Sequence, residues 1–217
     1  MNREEQVKTL DGIIQQGIEL FKIKLCEKVV SPKPEVPLDK KILYHEFADI
    51  LRSIGKMYEC SSEYHFELMM YDNLSTNEKV RTSFKNEVRV DFAITYTFGE
   101  TLVSAVLAFK FFKKEHGQES VNRYTAYRNL YYLEKCREHG VDLCYFLLLT
   151  DDPHYVNEKA YSIEAEDFDM RDGHTYKAGT VLKFKREQPW GPDFSLKQDY
   201  RFDWETLREI FWFRYTS

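Results

Sequence analysis

Proline and glycine are scarce in this chain of 217 residues, with six and nine copies. That scarcity excludes collagen-like and Pro/Gly low-complexity architectures. It also leaves few points where long elements must break. Three of the prolines fall together, at Pro32, Pro34 and Pro37. The four cysteines, Cys26, Cys60, Cys136 and Cys144, show no Cys-x-x-Cys spacing and make no zinc pattern with the six histidines. Reduced thiols and a cytoplasmic location are the expectation. No apolar run approaches the roughly 18 residues of a membrane span, and MNREEQVKTL lacks the apolar centre of a signal peptide. Positive charge is not in excess: the net charge is −5. An indiscriminate duplex binder is usually basic, so a nucleic-acid contact would need a local positive groove on an acidic body.

What the chain has is aromatic bulk and clear periodicity. Its 16 Phe, 15 Tyr and 3 Trp supply a sizeable core. Glu4 to Val30 predicts a long helix, because Leu10, Ile14, Ile18, Phe21 and Leu25 form one stripe. The domain, a second copy of the chain in a homodimer, or another protein must cover that stripe. Residues 1–30 are therefore set apart as a helical appendage for packing or oligomerisation. Residues 31–38 are a Pro-rich connector, and 39–217 form one domain. Asp39 is the expected N-cap of a second helix to about Ser53, with Gly55 just past its end. Leu43, Phe47, Ile50 and Ile54 form its buried face, bordered by Glu46. A strand is expected over Glu63–Tyr71, then a polar loop carrying Lys79, Arg81 and Lys85.

Val88, Val90, Phe92, Ile94 and Tyr96 alternate with Arg89, Asp91, Ala93 and Thr95, the period of a half-buried strand. This puts Asp91 on the face opposite the apolar set. Phe98-Gly99-Glu100 signals a turn. Leu102 to Phe112 is almost wholly apolar, as in a strand covered on both faces. Lys110 interrupts it, sharing a face with Ala108. Ser120 to His139 predicts a helix packed through Tyr124, Tyr127, Leu130, Tyr131 and Leu133, and Val141–Thr150 a buried strand. Strand, helix, strand is the crossover unit of a mixed or parallel sheet. Asp151-Asp152-Pro153-His154 reads as a loop. Beyond Tyr155 come short β-like pieces, among them Thr180–Lys185. Lys177, Lys183, Lys185 and Arg186 form a possible phosphate-facing patch. A last helix is expected after Asp203, with Trp204, Leu207, Ile210 and Phe211 inward.

Val90-Asp91, a short connection, and an apolar strand ending in Ala108-Phe109-Lys110 resemble the core of the PD-(D/E)xK nucleases. The resemblance covers roughly Asp39 to Thr150 and departs at position 108, where the family carries an acid. It implies an α/β, restriction-endonuclease-like fold: a central mixed β-sheet flanked by helices, here with the N-terminal appendage. It further implies a metal-dependent endonuclease that hydrolyses DNA, RNA being the alternative polymer, in restriction or phage defence. By that likeness Asp91 is the main ligand for Mg²⁺ or Mn²⁺, Glu46 an auxiliary ligand, and the carbonyl of Phe109 a third. Lys110 positions the water. Lys113, Lys114, Arg123 and Arg128 would contact nucleic acid. Alanine at position 108 removes a ligand and a negative charge together, so metal affinity should fall and cleavage become weak or undetectable. Its origin is a substitution made to block cutting, a natural loss, or relief by another carboxylate such as Glu67, Glu87 or Glu119. The alternative function is a non-catalytic module of the same fold that binds nucleic acid or protein.

Overall fold

The computed structural model describes residues 2–30, 38–59, 63–70, 90–187 and 189–217. The Pro-rich stretch 31–37, the cationic loop with Lys79, Arg81 and Lys85, Val88 and Glu87 lie outside them. The chain is an α/β protein. Its helices are α1 (Arg3–Val30), α2 (Lys40–Met57), α3 (Glu119–Glu138) and the single turn α4 (His154–Asn157). Its strands are β1 (Tyr64–Met70), β2 (Phe92–Phe98), β3 (Thr101–Phe112), β4 (Leu143–Thr150), β5 (Thr175–Tyr176), β6 (Tyr200–Arg201), β7 (Trp204–Leu207) and β8 (Ile210–Thr216). Six of them form one mixed sheet in the order β1-β2-β3-β4-β8-β7. The pairs β1–β2, β2–β3 and β7–β8 are antiparallel. Cys144 and Ser217 exchange backbone hydrogen bonds, as antiparallel partners do. The parallel step is therefore β3 to β4, joined by α3 as a crossover requires.

Contacts divide the chain into two compact units: residues 1–109 with 136–145 and 216–217, and residues 110–135 with 146–215. In the first unit the α1 stripe is covered at home. Leu10, Ile14, Ile18, Phe21 and Leu25 are all buried. Phe21 meets Phe47 of α2 at 5.2 Å and Phe109 of β3 at 5.9 Å between ring centres. The helix is thus part of a core with β1–β3, not an appendage, and its stripe leaves no face that needs a second copy. Asp39 caps α2, accepting from the N–H groups of Lys41 and Ile42.

Helix α2 runs through Gly55 instead of ending before it. The glycine serves close approach: a Cβ there would lie 2.2 Å from the Phe66 ring of β1. Gly55→Ala forces that ring to move, and we expect a loss of about 1–3 kcal/mol, measured by urea unfolding.

In β2, Phe92, Ala93, Ile94 and Tyr96 are buried while Thr95 and Thr97 are partly exposed, so the alternation holds from Ile94 on and Ala93 is covered on the other face. Strand β4 is buried along its whole length. Cys136 and Cys144 are buried free thiols. Burial pushes both up to about 12, so neither should react with a thiol reagent in the native protein at pH 8, but both should after denaturation.

The expected last helix is a hairpin. Trp204 pairs with Phe213 and Leu207 with Ile210, around a loop where Arg208 has φ 58°. Asp203 caps nothing helical; its carboxylate takes Arg201 Nε at 2.7 Å. Ile210–Thr216 is rich in aromatic and β-branched residues, and Trp204 is anchored by Nε1 donating to the Met170 carbonyl at 2.7 Å. Of the expected strand Thr180–Lys185, the structure keeps one bridge, Leu182 with Phe194.

Candidate functional site

Asp91 sits one residue outside the last rung of β2 on β3, Phe92 with Leu107, beside Ala108. Its N–H donates to the Leu107 carbonyl at 3.0 Å. Its Oδ2 accepts the Phe109 N–H at 2.8 Å. The Tyr44 hydroxyl of α2 donates to the Asp91 carbonyl at 2.6 Å, and its ring stacks on Phe92 at 4.3 Å. The carboxylate is thereby fixed in position between two strands and a helix. Tyr44 is a positioning residue that the sequence reading passed over. Its spacing of one from Leu43 and three from Phe47 was a usable signal, since all three face the core.

Ala108 is 1% exposed, and Phe109 is fully buried, its ring stacked on Phe47 at 6.0 Å. Lys110 follows in the same strand and is half-buried. At Phe109 it is the N–H, not the carbonyl expected as a metal ligand, that meets Asp91.

Glu46 is engaged elsewhere. Its Oε1 meets Lys28 Nζ of α1 at 2.5 Å, with both side chains about a third exposed. Where an auxiliary metal ligand was expected, the glutamate stands in a salt bridge. Such a pair contributes under about 1 kcal/mol. Among the described residues no group of three or more His, Cys, Asp or Glu could hold a metal ion. Asp91, Ala108 and Glu46 therefore do not fit a divalent cation: one lies on a backbone N–H, one has no oxygen, and one is paired with a lysine. Of the substitute carboxylates, the two among the described residues do not move in. Glu67 faces outward on β1, and Glu119 is committed in the second unit.

That commitment also corrects the role expected for Arg123. The guanidinium is fully buried. Its Nε pairs with Glu119, and its Nη2 donates to the carbonyls of His154 at 3.2 Å and Glu158 at 2.9 Å. It lies over the Tyr155 ring at 5.4 Å. A guanidinium so enclosed cannot reach a phosphate in solution. His154 is not a loop residue on the surface either: it is buried, with its ring flat on Tyr161 at 3.5 Å. Its nitrogens stand 3.6 Å from Glu119 and 3.4 Å from Glu158, outside hydrogen-bonding geometry. Arg128 is held among aromatics, 4.7 Å from the centre of Tyr131 and 5.2 Å from that of Phe194. Lys113 pairs with Glu115. Lys114 is exposed, and its backbone N–H donates to Asp151 at 2.7 Å. Of the four expected nucleic-acid contacts, Lys114 alone presents an exposed side chain.

No helix among the described residues is long and apolar enough to cross a membrane. Comparison with protein-family models gives no match, and no curated protein matches the chain in sequence.

Proposed function

We propose that this chain is a nuclease domain of the PD-(D/E)xK type, silenced at Ala108, with DNA as the polymer it engages. One observation carries the reading: the carboxylate of Asp91 is tied to β3 at Phe109, the residue between position 108 and Lys110. The sheet order, with antiparallel β1–β2–β3 and a helical crossover to β4, supports a restriction-endonuclease-like core. That core is known for carrying different activities, so the site must decide the function. The side chains at this corner lack the donors for Mg²⁺ or Mn²⁺, and no catalytic step is assigned to the chain as it stands. What its own residues do is orient a carboxylate at the strand junction.

A second reading, a non-catalytic binding module on the same fold, draws on the absence of an acid at position 108. The test is supercoiled plasmid with Mg²⁺ or Mn²⁺, this chain beside Ala108→Glu, with a gel-shift assay on the same DNA. Nicking by the glutamate variant alone is the expected result. Binding without cutting by either protein favours the second reading. Neither cutting nor binding overturns both.

A further inference from the structure

We propose that a cavity in the second unit, walled by Lys159, Asp169, Arg171, His174, Thr175 and Thr180, is a binding site for a small molecule bearing a phosphate group. The cavity holds about 590 Å³, within the size range of small-ligand sites. All its residues belong to the second unit, so the proposal stands apart from the nuclease reading.

The wall is organised by one carboxylate. Asp169 accepts the Arg171 N–H at 3.1 Å, Arg171 Nε at 3.0 Å and Arg171 Nη2 at 2.6 Å. Its Oδ2 lies 3.4 Å from His174 Nδ1. The Tyr127 hydroxyl donates to the Asp169 carbonyl and holds that backbone. Burial pushes the Asp169 carboxyl up, but the Arg171 hydrogen bonds outweigh it and leave the group below its usual value. An ionised Asp169 thus fixes an arginine and a histidine on the same wall. Arg171 Nη1, the second nitrogen of His174, the Lys159 ammonium and the hydroxyls of Thr175 and Thr180 have no protein partner among the described residues. These are mostly donors, the set a phosphate oxygen cluster accepts from.

The other cations on or beside the wall are each paired. Lys185 pairs with both Glu166 and Asp167, and Lys177 with Asp199 at 2.7 Å. Lys183 faces Asp193 at 3.6 Å and Arg186 faces Glu164 at 3.8 Å. The four-cation patch expected from sequence is therefore neutralised cation by cation. Arg171 cancels Asp169, and Lys159 balances the second of the two carboxylates that share Lys185, so the wall is neutral overall and a phosphate would be held by the unpartnered donors rather than drawn by net charge. Burial, ahead of the opposing pull of Asp169 and the push of Arg171, holds His174 below the usual imidazole value. The ring is neutral at pH 7 and offers its free nitrogen to a phosphate hydroxyl. Val181 gives an apolar rim for the organic part of a ligand.

The test is amide NMR on the full chain titrated at pH 7 with inorganic phosphate and, separately, adenosine monophosphate, into the millimolar range. Saturable shifts at Arg171, His174, Thr175 and Thr180 are expected with both probes. Tighter binding of the nucleotide identifies an organic phosphate, and equal binding identifies the phosphate group alone. Lys159→Met, at an exposed position that the fold does not use, should weaken both about tenfold, the worth of one charge-assisted hydrogen bond. No saturable shift with either probe overturns the proposal, as do shifts that Lys159→Met leaves unchanged.

Discussion

Arg123→Met is expected to destabilise the protein by about 3–5 kcal/mol, because it leaves Glu119 as an uncompensated buried charge. Glu119 is 8% exposed and Arg123 fully buried. The arginine also satisfies the carbonyls of His154 and Glu158. Methionine matches much of its length and apolar stem, so the loss reports the charge and its hydrogen bonds, not a cavity. Removing both charges, in Glu119→Gln with Arg123→Met, should cost less than Arg123→Met alone, since no lone charge remains in the interior. Equilibrium urea unfolding measures both. A loss under about 1 kcal/mol for Arg123→Met would fit a solvated arginine instead, and would restore it as a candidate for phosphate contact.

The arrangement around Arg123 was legible in advance. Residue 123 stands four before Tyr127 and seven before Leu130, the spacing of one helix face. Glu119 stands four before it. Tyr127 and Leu130 are fully buried, so the arithmetic that found the packing face could have placed the arginine on it, where the sequence reading instead expected a nucleic-acid contact. The long helices and β1 to β4 were read on that arithmetic, with ends moved by a few residues. Gly55 shows why ends move: a glycine past a helix and a glycine under an aromatic ring look alike in sequence. The β7–β8 hairpin was hidden for a different reason. Trp204, Leu207, Ile210 and Phe211 satisfy a helical period, and the loop Arg208-Glu209 carries neither Gly nor Asn to announce a turn. Asp169, Arg171 and His174 lie in an irregular segment with no period, so only folding reveals that one carboxylate serves the other two.

At the strand junction the sequence supplied the corner and its defect together. Asp91 beside Ala108 was readable from alternation and a turn signal. The engagement of Glu46 by Lys28 was not, because the partner sits on a helix 18 residues away in the chain.

Ala108→Glu is the second large effect. The position is 1% exposed, so a glutamate there buries a carboxylate next to Asp91. Without a cation the pair repels and desolvates, and a loss of several kcal/mol is expected. A divalent ion held between Asp91 and Glu at position 108 would offset both terms, and an ion that binds only the folded state raises its melting temperature.

The central proposal is that this corner is a metal-nuclease site silenced by the absence of an acid at position 108. It is tested most directly by the melting temperature of Ala108→Glu in EDTA and in Mn²⁺, beside the chain itself and Ala108→Glu with Asp91→Asn. The account predicts a lowered melting temperature in EDTA, recovery of several degrees in Mn²⁺, little response from the chain itself, and no recovery once Asp91 is asparagine. A glutamate variant indifferent to Mn²⁺, or one that recovers equally without Asp91, would contradict it.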